Sequence, residues 1–112
     1  MQTYDIPEQQ WIDFFDDFSR EHAGWTTTIE VLDSDTGPQN LAEDLPLEGI
    51  SFNEKGTRPC AMQISVGDSV DSHVNHVIDT PLHARTLTES DESLDVEIEP
   101  AQGPKTLVHL HA

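Results

Sequence analysis

The sequence predicts an α+β fold, with one N-terminal α-helix packed on a curved antiparallel β-sheet, or on a small open β-barrel, of about seven strands. One observation behind this prediction is that all but one of the Phe, Tyr and Trp residues lie between positions 4 and 25. The other is that short alternating segments follow, separated by turn residues and without a second helical pattern. Parallel βαβ units are therefore not expected, and residues 1–112 are predicted to form a single domain.

The N-terminal helix is predicted over about residues 7–23 because apolar side chains recur there at helical spacing. Its apolar face carries Trp11, Phe14, Phe15, Phe18 and His22. Residues 5–8 resemble a capping box, and Gly24 can end the helix in a left-handed conformation. The aromatic face is interpreted as part of the core, and a ligand-binding wall is the alternative.

Eight later segments read as short strands at hairpin spacing. They are residues 25–32, 39–45, 47–52, 60–66, 73–78, 82–88, 94–99 and 106–111. The clearest alternation is in 60–66, where Cys60, Met62 and Ile64 point to one side. In 82–88, Leu82 and Ala84 are expected on a common face. Gly49 inside a strand pattern predicts a bulge or a close backbone approach.

Acidic residues dominate the composition, with 22 Asp and Glu against 5 Lys and Arg and a formal net charge of −17. A field of this sign disfavours binding to nucleic acid phosphates and to anionic membrane surfaces. Three interpretations remain open. They are a solvated surface adapted to a salty cytoplasm, docking to a basic protein partner, and mimicry of DNA.

The expected compartment is the cytoplasm. No apolar run approaches the length of a membrane span, and the N-terminus lacks the basic and apolar regions of a signal peptide. The single cysteine, Cys60, cannot form an internal disulfide, which favours a reducing environment. Its alternation with apolar neighbours indicates a packing role.

The order of these segments resembles domain of unknown function family 5335, a family of small prokaryotic proteins. The resemblance is carried by Ile6–Glu8, Trp11, Phe14–Ser19, Thr28–Leu32, Leu45–Ser51, Asp71–His76, Leu94–Glu99 and Thr106–Val108. It covers nearly the whole chain and implies no activity, cofactor or partner. The chain departs from the family pattern at His109, where the family has an arginine after the last apolar pair of the tail.

A small-ligand site is one candidate function. On a strand, His73 and Asn75 share one face, and Arg85 would complete an anion-binding patch if it lay on the neighbouring strand. An arginine in so acidic a chain could equally be the partner of a structural ion pair. His76 falls on the opposite, apolar face and is interpreted as a hydrogen-bonded core histidine.

Metal and cofactor sites are not predicted. On a strand His73 and His76 face opposite sides and cannot share a metal. His109 and His111 project from one face and could join His83 or a carboxylate around zinc, but this pattern is weak. Residues 33–37 resemble the start of a calcium loop, yet the glycine comes one place early and a polar turn is expected. No nucleophile elbow, P-loop, dinucleotide fingerprint or HExxH motif is present.

The sequence therefore favours a small non-enzymatic module that acts through contact with a protein partner or through self-association, by way of sheet edges or the helix face. The first alternative is a small-molecule or anion binder that uses His73, Asn75 and Arg85. The second is a DNA mimic that binds a basic protein.

Overall fold

The protein is described here by a computed structural model, which covers residues 2–33, 35–53, 60–68 and 72–112. Its elements in chain order are β1 (Gln2–Asp5), a 3₁₀ turn (Glu8–Gln10), α1 (Trp11–Glu21), β2 (Thr26–Asp33), β3 (Gly37–Asn53), β4 (Ala61–Gly67), β5 (His73–Asp79), β6 (Pro81–Ser90), β7 (Ser93–Pro100) and β8 (Lys105–His111). Residues 54–59, predicted as a loop, and 69–71, in the predicted loop before β5, lie outside the described residues.

All eight strands belong to one antiparallel sheet in the order β1-β6-β7-β8-β2-β3-β4-β5. The sheet is curved and open, with β1 and β5 at its two edges, and α1 packs against β3. This confirms the predicted α+β fold with one helix on an antiparallel sheet. Strand β1 was not predicted because all four of its residues are exposed and carry no apolar alternation.

Strand β3 corrects the prediction of two strands separated by Pro46. It is one strand of 17 residues whose first part pairs with β2 as far as Pro46 and whose second part pairs with β4 from Leu47 onward. Pro46 has no N–H to donate, and it lies where the strand changes partner. Asp44, two residues earlier, has a positive φ of 52°.

Helix α1 is shorter than predicted because residues 5–8 do not cap it. Asp5 ends β1, and Pro7 has φ −59° and ψ 139°, an extended conformation from which the chain enters the 3₁₀ turn. The helix ends at Glu21, near the predicted end at about residue 23, and Gly24 takes the expected left-handed conformation with φ 84°. Among the described residues, no helix is long and apolar enough to cross a membrane.

The aromatic face of α1 supplies a large part of the core. Trp11 and Phe15 are 1% and 0% exposed, and Phe18 is also buried. The Trp11 ring packs edge-on against Phe52 with centroids 5.0 Å apart, and its Nε1–H donates to the carbonyl of Ile6 at 2.8 Å. The interpretation as core is therefore confirmed for these three residues.

Gly49 brings the helix close to the sheet, as its place in a strand predicted. The β3–β4 register shifts between Leu47 and Gly49, and a Cβ on Gly49 would lie 3.3 Å from Ser19 Oγ. The Ser19 hydroxyl accepts a hydrogen bond from the Ile50 N–H at 2.8 Å. It also donates a hydrogen bond to the Phe15 carbonyl oxygen at 2.7 Å. A bare backbone is needed here because the helix side chain bonds directly to β3.

Leu82 is a second correction, because it was expected to share a face with Ala84. Leu82 is 52% exposed, whereas Ala84 is buried. The β6–β7 register shifts between Pro81 and His83, and Pro81 takes the buried place at the start of the strand. A bulge of this kind moves the side chains of the residues before it to the other face of the sheet, so Leu82 points to solvent.

Candidate functional site

A groove of about 460 Å³ separates α1 from the strands β6 and β7. We call it the helix groove. Helix α1 packs mainly against β3, and the groove lies between the helix and the strands β6 and β7. Its lining residues are Phe14, Asp17, Phe18, Glu21 and His22 of α1 and its C-terminus, Thr86, Thr88 and Ser90 of β6, Asp91 of the turn, and Leu94 of β7.

One wall of the helix groove is a column of near-parallel rings. Phe14 and Phe18 stack with centroids 6.1 Å apart, and Phe18 and His22 stack at 4.2 Å. The His22 ring is held in place by its Nδ1–H, which donates to the Phe18 carbonyl at 2.8 Å, and by Trp25, which meets it edge-on at 4.6 Å. Because Phe14 and His22 are only half-buried, this wall is also accessible from solvent.

The rim of the helix groove is acidic. Asp17 already forms an ion pair with Arg20. Glu21 and Asp91 are exposed, and within the described ranges neither carboxylate takes part in an ion pair or a hydrogen bond. The groove therefore joins an aromatic wall to two carboxylates that have no partner in the described part of the chain, an arrangement suited to a ligand with an apolar body and a cationic head.

A second groove, of about 420 Å³, contains two of the three predicted binding residues. We call it the polar groove. His73 and Asn75 of β5 line it together with polar residues of the helix and of β3 and β4, namely Asp16, Ser19, Glu48, Ser51, Gln63 and Ser65. The His73 Nε2 is in hydrogen-bonding contact with the Glu48 carboxylate, and the Ser65 hydroxyl donates to the Asn75 side-chain oxygen.

Arg85, the third predicted binding residue, lies elsewhere. It is on β6, whose neighbours are β1 and β7, whereas β5 pairs with β4 at the opposite edge of the sheet. Its Nε lies 3.5 Å from the Asp5 carboxylate, so it is the partner in an ion pair between β6 and β1. The condition for an anion patch of His73, Asn75 and Arg85 is therefore not met.

His76 is half-buried on the inner face of β5, as predicted. Its Nε2 lies 3.1 Å from the Thr106 hydroxyl of β8, so a hydrogen bond joins β5 to a strand with which it does not pair. Burial lowers the pKa of His76 below its usual value. The neutral ring is thus the form that the fold favours.

His109 lies on the outer face of β8, where neighbouring carboxylates favour the charged form of the ring. Its Nδ1 lies 2.8 Å from Asp95 of β7, and its Nε2 lies 3.4 Å from Glu30 of β2. Burial by itself would lower the pKa of His109, but hydrogen bonding and attraction to the Asp95 and Glu30 carboxylates outweigh it and raise the pKa. Both nitrogens donate only when the ring is protonated, so the cation ties three strands together.

The histidines do not form the weak zinc pattern. His83 lies on β6, which is separated from β8 by β7, and its Nε2 is 3.9 Å from Glu99. His111 is exposed near the end of the chain, while His109 is engaged by two carboxylates. Within the described part of the chain, no group of three or more His, Cys, Asp or Glu side chains is arranged to hold a metal ion.

Replacing His109 by glutamine should destabilise the protein more in mild acid than in mild alkali. A raised pKa in the folded state contributes stability that is complete below the unfolded value of 6.5 and disappears as the pH rises through the folded value. The loss relative to wild type should be about 0.5–1 kcal/mol near pH 5.5, because the pair is partly exposed, and smaller near pH 9. Urea unfolding at both pH values measures it.

His76→Gln is the matched control, since glutamine can keep the hydrogen bond to Thr106. A lowered pKa has the opposite sign, because the unfolded ring binds a proton below about pH 6.5 while the buried ring resists it. Relative to wild type, His76→Gln should therefore be more stable near pH 5.5 than near pH 9. The same pH trend in both variants would contradict the assignment of a charged His109 and a neutral His76.

The helix groove combines residues that the sequence analysis treated separately or left out. Phe14, Phe18 and His22 were recognised as one helix face, but the polar residues of β6 that complete the groove were not singled out. Thr86 and Thr88 alternate with Arg85 and Leu87, so they could have been assigned to a common face of the strand. Nothing in the sequence indicates that this face lies opposite the helix.

Comparison with known proteins identifies relatives without an assigned activity. The sequence matches the family described as "Family of unknown function (DUF5335)" over residues 2–112. An uncharacterised protein of Aquifex aeolicus (strain VF5) is 36% identical over 55 residues, which is 49% of this chain and 50% of that protein. The chain thus spans about half the length of this curated relative. No solved structure matches it.

Proposed function

The chain belongs to the family of unknown function DUF5335, and we propose that it is a non-enzymatic module that binds another protein in its helix groove. The observation that supports this most directly is the helix groove itself. An accessible aromatic wall lies beside a rim whose carboxylates Glu21 and Asp91 have no partner among the described residues. Aromatic side chains at a partly desolvated surface are typical anchors of protein interfaces.

The size and composition of the groove suit a side chain or a short segment of a partner. A volume of about 460 Å³ is in the range of sites that bury a small ligand. Its floor is formed by Thr86 and Leu94, which are 8% exposed each, so the part of an inserted group that reaches them would be removed from water. Such removal provides the hydrophobic part of the binding free energy.

The proposal places this module in the cytoplasm. Its support is the chain's lone cysteine, Cys60, which is half-buried and packs against the hydrophobic core. A free thiol in a packing role is typical of proteins that fold in a reducing compartment.

A small-molecule binder is the second candidate, because His73 and Asn75 line the same polar groove. Without Arg85, and with Asp16 and Glu48 in its lining, that groove is acidic and polar. Its ligand would accordingly be a neutral or cationic compound with several hydrogen-bonding groups, and not an anion.

The docking function can be tested with native mass spectrometry of the untagged protein purified gently from its own host. The wild type should be detected in a complex with a second polypeptide. Ser90→Arg should be detected without that polypeptide, because the new arginine side chain would fill the groove of its own chain. Ser51→Arg is the matched control, since Ser51 is also an exposed strand serine but lines the polar groove.

The outcomes separate the two candidates. A polypeptide retained by Ser51→Arg and lost by Ser90→Arg supports docking in the helix groove, and a partner of identical mass identifies self-association. Retention by Ser90→Arg, or a bare chain in every sample, contradicts the proposal. An adduct of small-molecule mass that Ser90→Arg keeps and Asn75→Ala loses would instead assign function to the polar groove.

A further inference from the structure

We propose that the occupant of the helix groove is an arginine side chain on a basic segment of the partner protein. Because this residue would enter the same groove, the inference rests on the docking function proposed above. It adds the chemical identity of the contact, which the shape of the groove alone does not provide.

The acidic rim favours a cation. Glu21 lies on the last turn of α1, and Asp91 lies in the turn between β6 and β7, so the two carboxylates approach the groove from different elements. Asp17 adds a third carboxylate that already shares its charge with Arg20. An entering cation would therefore find two carboxylates without a competing partner among the described residues.

The aromatic wall favours a cation with an extended apolar part. The rings of Phe14, Phe18 and His22 form one continuous surface, and Leu94 extends the apolar lining on the opposite side. A guanidinium is planar and weakly hydrated, and it packs on aromatic surfaces while its N–H groups bind carboxylates. The three methylene groups of arginine can lie along the apolar wall while its head reaches the rim.

Polar groups in the groove can receive the remaining guanidinium donors. Within the described ranges, the Thr88 side chain has no hydrogen-bond partner, and the Ser90 hydroxyl accepts only the Glu92 N–H at 3.2 Å. Arginine carries five N–H donors, more than two carboxylates in monodentate contact would satisfy. A hydroxyl acceptor on β6 therefore favours arginine, because the broad guanidinium can bind both the rim carboxylates and this hydroxyl, whereas the ammonium of lysine is more compact.

The charge of the whole chain acts in the same direction. A net charge of −17 attracts a basic segment over long distances and raises the rate of encounter. This attraction is not specific to one site and is screened by salt, so specificity must come from the groove. A test therefore has to separate binding in the groove from attraction to the acidic surface as a whole.

The probes are three peptides of the form acetyl-Gly-Ala-X-Ala-Gly-amide, in which X is arginine, lysine or citrulline. Citrulline has nearly the shape of arginine but no charge. Amide chemical shifts of ¹⁵N-labelled protein, followed during titration, should move at the groove residues with the arginine peptide. The lysine peptide should bind more weakly than the arginine peptide. The citrulline peptide should bind at least about tenfold more weakly than the arginine peptide.

Two double variants provide the control for general electrostatics. Glu21→Gln with Asp91→Asn should weaken binding of the arginine peptide by about tenfold, because both carboxylates contact the cation. Asp68→Asn with Asp79→Asn removes the same charge from exposed positions outside the helix groove and should change the affinity by less than about twofold. Unchanged amide spectra away from each substitution show that the fold is retained.

The results overturn the inference in three cases. These are equal affinities for arginine and citrulline, equal losses in the two double variants, and no shift of the groove amides with any peptide. If one of them occurs while Ser90→Arg still loses a polypeptide in the native complex, docking stands and only the arginine is wrong. If Ser90→Arg loses nothing, the docking function fails as well.

Discussion

Replacing Trp11 by alanine should destabilise the protein by about 3–5 kcal/mol, which is comparable with the whole stability of a small domain. The side chain is 1% exposed and packs edge-on against Phe52 of β3, so its removal leaves a cavity between helix and sheet. It also leaves the Ile6 carbonyl without the indole N–H that now donates to it at 2.8 Å. Urea unfolding followed by far-UV circular dichroism measures the change.

Ile12→Ala is the control, because Ile12 is the next residue of the same helix, is also apolar and is 45% exposed. It should change the free energy of unfolding by less than about 0.5 kcal/mol. Trp11→Phe keeps one aromatic ring against Phe52 but loses the N–H and part of the indole volume, so its loss of stability should be smaller than that of Trp11→Ala. A loss of stability in Trp11→Ala no larger than that in Ile12→Ala would show that the helix does not form part of the core.

The second large effect is expected for Gly67→Ala, at about 3–5 kcal/mol or complete failure to fold. Gly67 ends β4 with φ 129°, a conformation that L residues rarely adopt. An added Cβ would lie 2.0 Å from the Ser72 carbonyl oxygen and 2.6 Å from the His73 Cα. Both are backbone atoms, so the clash cannot be relieved by rotating a side chain, and β5 would have to move away from β4.

Gly103→Ala is the matched control for backbone conformation without a clash. Gly103 has φ 98°, and a Cβ there would meet nothing within 4 Å. Its substitution should cost about 1–2 kcal/mol, which is the conformational penalty alone. Thermal and urea unfolding of both variants give the comparison, and similar losses at the two positions would contradict the close approach of Ser72 to Gly67.

The candidate sites show where prediction from the sequence stopped. The prediction that His73 and Asn75 face away from His76 was correct, because side chains alternate along any strand, whichever strands it pairs with. The proposed association with Arg85 failed because the pairing of strands depends on the path of the whole sheet. Asn75 and Arg85 are only ten positions apart in sequence, yet they lie on strands that do not pair, β5 at one edge of the sheet and β6 next to the other.

Local patterns predicted elements better than their junctions. Gly24 takes the expected left-handed conformation just beyond the end of α1 at Glu21, and Gly49 marks the close approach of Ser19, because both depend on the conformational freedom of a single residue. Pro46 was expected to end a strand, but β3 continues through it by exchanging β2 for β4 as its partner. A missing N–H ends a strand only where a partner strand needs that donor.

The sequence by itself determined the α+β class, the aromatic helix face and the acidic character, because periodicity and composition are properties of neighbouring residues. Only the tertiary structure decided that α1 rests on β3 and leaves Phe14 and His22 open toward β6. Only the tertiary structure also decided that His109 contacts two carboxylates, Asp95 of β7 and Glu30 of β2, which are distant from it in sequence. Contacts of this kind follow from the order of strands in the sheet, and short-range patterns do not encode that order.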